Sequence, residues 1–118
     1  VGKFPRPEIL EGFTRKVKTG CGSLYVTINT DPKTGEPCEL FVVMGKSGGC
    51  ANATGESIGR LCSALLKLGA SPDLLVRQLG GVYCHAVPRE SKLLSCPSAV
   101  AHVIKEWRQS NEATEVGN

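Results

Sequence analysis

The chain has few aromatic residues, no long apolar run and little excess charge, and each shortage narrows what it can be. Phe, Trp and Tyr make up 5% of the 118 residues, so the interior must rest on Leu, Val, Ile and Ala. No apolar stretch approaches the ~20 residues that a membrane helix needs, and no secretory signal is visible. The net charge of +3 is too small to imply nucleic-acid binding by itself. Lys3, Arg6, Arg15, Lys16 and Lys18 gather basic charge near the N-terminus, and a solvated strand face accounts for that run at least as well as a nucleic-acid partner. No carboxylate pair stands out for acid–base catalysis. Gly45-Lys46-Ser47 ahead of a helix mimics the end of a phosphate loop, but Leu40 stands where that pattern needs its first glycine, which leaves Lys46 as an anion contact at most. No Cys-x-x-Cys pair occurs among the six cysteines.

What is present suits one small domain. Apolar residues form 41% of the chain, enough for a single core. The chain opens at Val1 rather than Met, as a fragment or a processed product would. Six cysteines allow about fifteen disulfide pairings, yet without a secretory signal the thiols are expected to stay reduced, as in the cytoplasm.

Residues 1–10 contain Pro5 and Pro7 and read as a linker. The folded part is expected over residues 11–109. A strand over 12–19 places Phe13 and Val17 on one face. Gly20-Cys21-Gly22 makes a tight turn into a second strand over 23–30, where Leu24, Val26 and Ile28 alternate with Tyr25, Thr27 and Asn29. Asp31 to Gly35 is a turn by composition, and a third strand over 38–44 completes an antiparallel meander. A long helix is predicted over 52–68, with Ile58, Leu61, Cys62, Leu65 and Leu68 at helical spacing on the face that packs against the sheet. Gly69 stops it. Ser71 caps a short helix through Leu79, with Pro72 at its first position. Residues 82–87 form a short strand or an extended loop. A last helix starts at Pro97 and buries Val100, Val103, Ile104 and Trp107. The polar tail 110–118 is expected to be disordered.

Four cysteines occupy settings suited to thiolate chemistry. Cys21 lies in the glycine-flanked turn, Cys50 and Cys96 immediately precede helices, and Cys84 lies in the connection before the last helix. Helix N-termini carry partial positive charge and free N–H groups, which stabilise thiolates, and the thiolate is the form that binds zinc. If the meander brings the Gly20–Gly22 turn beside both helix starts, a tetrahedral four-cysteine site is geometrically reasonable. The plain alternative is that all four are small buried residues. Cys62, on an apolar helix face, and Cys38, at a strand start, read as core. His85 adjoins Cys84 and competes with it as a ligand. It also suggests a nucleophile–base pair, but adjacent residues of an extended segment point in opposite directions. His102 falls off the apolar face of the last helix and reads as exposed.

From about Arg6 to Trp107 the chain resembles the TSCPD domain, found at the C-terminal side of adenosylcobalamin-dependent (class II) ribonucleotide reductases and in short stand-alone proteins. The likeness is carried by Lys18-Thr-Gly-Cys-Gly22, Leu24-Tyr-Val-Thr-Ile-Asn29, Gly45-Lys-Ser-Gly-Gly-Cys50, Ile58-Gly-Arg-Leu61 and Ser95-Cys-Pro97. In the namesake Thr-Ser-Cys-Pro-Asp motif, Leu94 replaces Thr and Ser98 replaces Asp. More distantly, the order of Cys21, Cys50 and Cys96 is similar to that in IscU/NifU iron–sulfur scaffolds, with Ser23 in place of their functional Asp and Ser95 in place of their His. With Cys84 as fourth ligand, that pattern implies a closed structural site rather than labile cluster assembly.

The expectation is therefore an α+β domain, a three-stranded antiparallel sheet packed against helices in an IscU/NifU-like arrangement. Its expected role is an accessory domain of an adenosylcobalamin-dependent reductase, held by zinc at Cys21, Cys50, Cys84 and Cys96. It would partner the reductase's catalytic domain in cis or in trans. The chain is too short for a reductase barrel and is not expected to reduce nucleotides alone. An iron–sulfur scaffold or carrier, and a module binding protein or single-stranded nucleic acid, are the alternatives.

Overall fold

Alternation of apolar and polar residues over 24–30 dictates a strand with one buried face, and the whole sheet follows that register. The computed structural model describes residues 6–45, 49–85, 87 and 93–116, with side chains through residue 111. Lys3 and Lys46 lie outside the described residues. Strands β1 (Glu11–Thr19), β2 (Gly22–Thr30) and β3 (Pro37–Met44) form an antiparallel sheet in the order β1-β2-β3. Each begins one residue earlier than the sequence pattern predicts. Leu24, Val26 and Ile28 pair with Met44, Val42 and Leu40 respectively. All six side chains are buried on the face that meets the helices. The β1–β2 turn relies on Gly22, whose φ of 131° a residue with a Cβ rarely adopts.

Helix α3 (Cys96–Val116) lies over β2 and β1, burying Val100, Val103, Ile104 and Trp107 as expected. It begins at Cys96, one residue before Pro97. Its backbone runs on to Val116, through the stretch whose polar composition suggests a disordered tail. Helix α2 (Pro72–Leu79) packs on α3. Ser71 caps α2 by accepting a hydrogen bond from the Asp73 N–H at 3.2 Å. Residues 82–84 form a loop rather than a strand.

Helix α1 departs most from expectation. It spans Gly49–Lys67, starting three residues before Asn52, and turns a different face inward. The buried positions are Gly55, Gly59, Cys62 and Leu66. Leu61, Leu65 and Leu68 remain 67%, 37% and 60% exposed, and Ile58 is half-buried. The reason is the distance of approach. A Cβ at Gly59 would lie 3.1 Å from the Leu40 carbonyl oxygen and 3.2 Å from the Val42 nitrogen, and one at Gly55 would lie 3.2 Å from Val42 Cγ1. Two glycines one turn apart thus let α1 press its backbone against β3. The Ser63 hydroxyl accepts from the Leu40 N–H at 2.9 Å and donates to the Leu40 carbonyl at 3.0 Å. Sheet edges carry unpaired backbone groups, so this helix seals one edge.

The other sheet face carries the partly exposed Tyr25, Phe41 and Val43, with the Lys16 ammonium 6.0 Å from the Tyr25 ring centroid. At its margin the Glu39 carboxylate is buried but satisfied. It accepts from Arg6 Nε at 2.7 Å and from Asn29 Nδ2 at 3.1 Å. Burial alone would raise its pKa. The hydrogen bonds from Arg6 and Asn29, with the charges of Arg6 and Lys67, outweigh burial and hold it below the ordinary carboxylate value. Arg6 therefore ties part of the proline-containing lead segment to β3. Arg15, from the same basic run, pairs with Glu106 of α3 at 3.2 Å. Among the described residues, no helix is long and apolar enough to cross a membrane.

Candidate metal centre

Three chain segments meet at one end of the sheet, and short-range hydrogen bonds explain why. The β1–β2 turn is held by Thr19, whose hydroxyl donates to the Gly22 carbonyl at 2.8 Å and accepts from the Cys21 N–H at 3.2 Å. Thr19 also forms a parallel bridge with Leu94, and the Gly20 N–H reaches the Leu94 carbonyl at 3.4 Å. The residues leading into α3 are thereby placed beside the turn. Ser95 caps α3, accepting from the Ser98 N–H at 3.2 Å. The Ser95 and Ser98 hydroxyls both donate to the Val82 carbonyl, which draws residues 82–84 to the same helix start.

The consequence is a meeting of thiols. Cys21 in the turn, Cys84 after Val82, and Cys96 in the first turn of α3 come from three separate segments. The pKa of the exposed Cys21 thiol is raised, first by partial desolvation and then by the nearby Cys96 and Cys84. A raised pKa is what clustered thiols acquire without a cation among them, since each thiolate repels the next. A bound cation reverses that logic and deprotonates the coordinating thiols. The Cys96 sulfur also lies 3.9 Å from Thr19 Oγ1 and 4.0 Å from Met44 Sδ, at the end of β3.

Cys50 lies exposed in the first turn of α1 rather than ahead of it, and it is not among the groups acting on Cys21. Among the described residues, no three His, Cys, Asp or Glu side chains are arranged as a ready metal-holding group. The structure thus brings Cys21, Cys84 and Cys96 within interaction range without forming a ligand cage. The chemistry of this donor set, three neighbouring thiols on loop and helix-start backbone, fits a thiophilic metal. All six cysteines are free.

The remaining residues sort as their sequence contexts imply. Cys62 is buried against an apolar cluster that pushes its thiol up to about 11. Cys38 is buried and donates to the Asn29 carbonyl at 3.6 Å, and its pKa is raised by burial and then by Glu39 and Asp31. His85 is exposed beside the half-buried Cys84. His102 is exposed on α3, 3.3 Å from Glu106. Thr19, Met44 and the two serines around Cys96 escape a search for ligand-type residues. For Ser95 the signal is available, because a serine three residues before a free helical N–H is a cap.

No curated protein and no solved structure matches the chain. The likeness to IscU/NifU scaffolds therefore rests on the order of motifs alone. The family model of the TSCPD domain matches residues 2–107, nearly the whole length, and the chain belongs to that family.

Proposed function

We propose that this chain is an accessory metal-binding domain associated with an adenosylcobalamin-dependent ribonucleotide reductase, and that it is not catalytic alone. Cys21, Cys84 and Cys96 hold a zinc ion, with Cys50 as the fourth ligand. The observation that carries the reading is the convergence of three thiols from three segments at one end of the sheet. When bound, zinc supplies a cross-link between the β1–β2 turn, the 82–84 loop and the start of α3. Binding draws the exposed Cys21 and Cys50 toward the half-buried Cys84 and Cys96. The TSCPD resemblance supplies the reductase association, with the catalytic domain as partner in cis or in trans. Reduced thiols of this kind suit the cytoplasm.

Two measurements test the proposal. Protein purified without added metal should carry zinc, and the isolated chain should show no turnover with adenosylcobalamin, a nucleotide and a dithiol. Turnover by the chain alone would refute the accessory role. Iron with acid-labile sulfide in place of zinc would move the assignment to a cluster carrier.

A further inference from the structure

Two of the clustered thiols are set side by side by backbone pairing. Thr19 and Leu94 form a parallel bridge, and the Gly20 N–H reaches the Leu94 carbonyl at 3.4 Å. Two residues on from each bridge partner stand Cys21 on one segment and Cys96 on the other. Paired strands run about 4.8 Å apart, and a disulfide needs its two Cα atoms roughly 4.4 to 6.8 Å apart. The side chains agree with that register. Thr19 Oγ1 accepts from the Cys21 N–H at 3.2 Å and lies 3.9 Å from the Cys96 sulfur. Of the two thiols acting on Cys21, Cys96 acts more strongly than Cys84.

The two cysteines differ in a way that suits a stepwise reaction. Cys21 is exposed, in a turn flanked by Gly20 and Gly22, and is open to a small reagent. Cys96 is half-buried in the first turn of α3, where the peptide dipoles favour a thiolate. Cys38 and Cys62 are buried and take no part.

We propose that Cys21 and Cys96 form a site of reversible oxidation, in which a small-molecule disulfide joins them by a Cys21–Cys96 bond whenever the thiol end carries no metal. The Cys21 thiolate attacks one sulfur of the small disulfide, whose S–S bond breaks and releases the first small thiol. The Cys96 thiolate then attacks the Cys21 sulfur of the mixed disulfide and releases the second. Two electrons and two protons pass from the cysteines to the two small thiols. The new bond clips the β1–β2 turn to the start of α3 and removes two zinc ligands, so oxidation and zinc exclude each other. That exclusion rests on the zinc reading, whereas the disulfide does not.

The full chain, treated with chelator and then with oxidised glutathione, tests the proposal by thiol titration and peptide mapping, with circular dichroism as the control for folding. Two of the six thiols should be lost without retained glutathione. A peptide pair joining Cys21 to Cys96 should appear, and dithiothreitol should restore both thiols. Cys84→Ser should form the same link, and Cys96→Ser should keep glutathione on Cys21. The oxidised protein should take up no zinc, and the zinc-loaded protein should form no link. A folded wild type that loses no thiols, or one that links Cys21 to Cys84 or Cys50 instead, would overturn the proposal. If the Cys21–Cys96 link forms but the reduced protein takes up no zinc, the zinc reading falls and the oxidation site stands. If the reduced protein binds zinc but the chelated protein never links Cys21 to Cys96, the oxidation site alone falls.

Discussion

Two regions of this molecule set cysteine in different surroundings. Along the seam between α1 and β3, Cys62 sits with Gly55 and Gly59 where the helix backbone nearly touches the strand. A small apolar side chain is what that space takes, and a thiol with a pKa of about 11 is inert at neutral pH. At the thiol end, Cys21 is exposed while Cys84 and Cys96 are half-buried. Packing does not require the exposed Cys21, whereas Cys96 also packs against the core. Sterics explain the first cysteine, and the proposed metal would account for the others. Burial separates the packed cysteine from the accessible ones more sharply than sequence spacing does.

Substitutions can break this contrast. The largest effect is expected at the thiol end of the metal-loaded protein. Cys96→Ser or Cys21→Ser should lower the melting temperature sharply, because for a structural metal the binding energy is part of the folding energy. The same variants compared with wild type after chelation should melt close together. A deficit equally large in chelator would show that these cysteines serve packing after all.

The seam comes next. Gly59→Val should destabilise by about 3 kcal/mol, the upper range for overpacking, because the added atoms meet backbone of Leu40 and Val42 rather than a side chain that can move. Cys62→Ser places a hydroxyl among apolar neighbours and should cost about 1–3 kcal/mol. Denaturant titration measures both, and metal content should stay at the wild-type level in each. Loss of metal on changing Cys62 would erase the distinction between the two regions.

The smallest effect concerns pH. The folded pKa of Glu39 lies below its ordinary value, so its contribution to stability is present above the unfolded pKa and lost as pH falls through the folded one. Stability measured on descending through the acidic range should therefore decline less in Glu39→Gln than in wild type. Parallel acid limbs would indicate that the Arg6 and Asn29 contacts carry no net stabilisation.

The meander, α2 and α3 are legible in the sequence because their inward residues are large and periodic. Leu24, Val26 and Ile28 announce a strand face, and Val100, Val103, Ile104 and Trp107 announce a helix face. On α1 the same rule picks the wrong side. Periodicity weighs side chains by size, and the face that docks is the one with least side chain, so Leu61 and Leu68 read as core while Gly55 and Gly59 do not. The Arg6–Glu39 pair joins residues far apart in the chain and leaves no local pattern. At the thiol end, Cys21, Cys84 and Cys96 are recognisable from the glycine turn and the helix start that carry them. Cys50 has an equally suggestive context, but helix-start chemistry alone says nothing about which helix starts meet.

Elemental analysis joined to X-ray absorption on protein purified without added metal tests the central claim most directly. The account predicts one zinc per chain with sulfur ligation at about 2.3 Å, lost on changing Cys21, Cys50, Cys84 or Cys96 to serine and retained in His85→Ala. A native protein without metal, in which Cys21, Cys84 and Cys96 all titrate as free thiols, would contradict it.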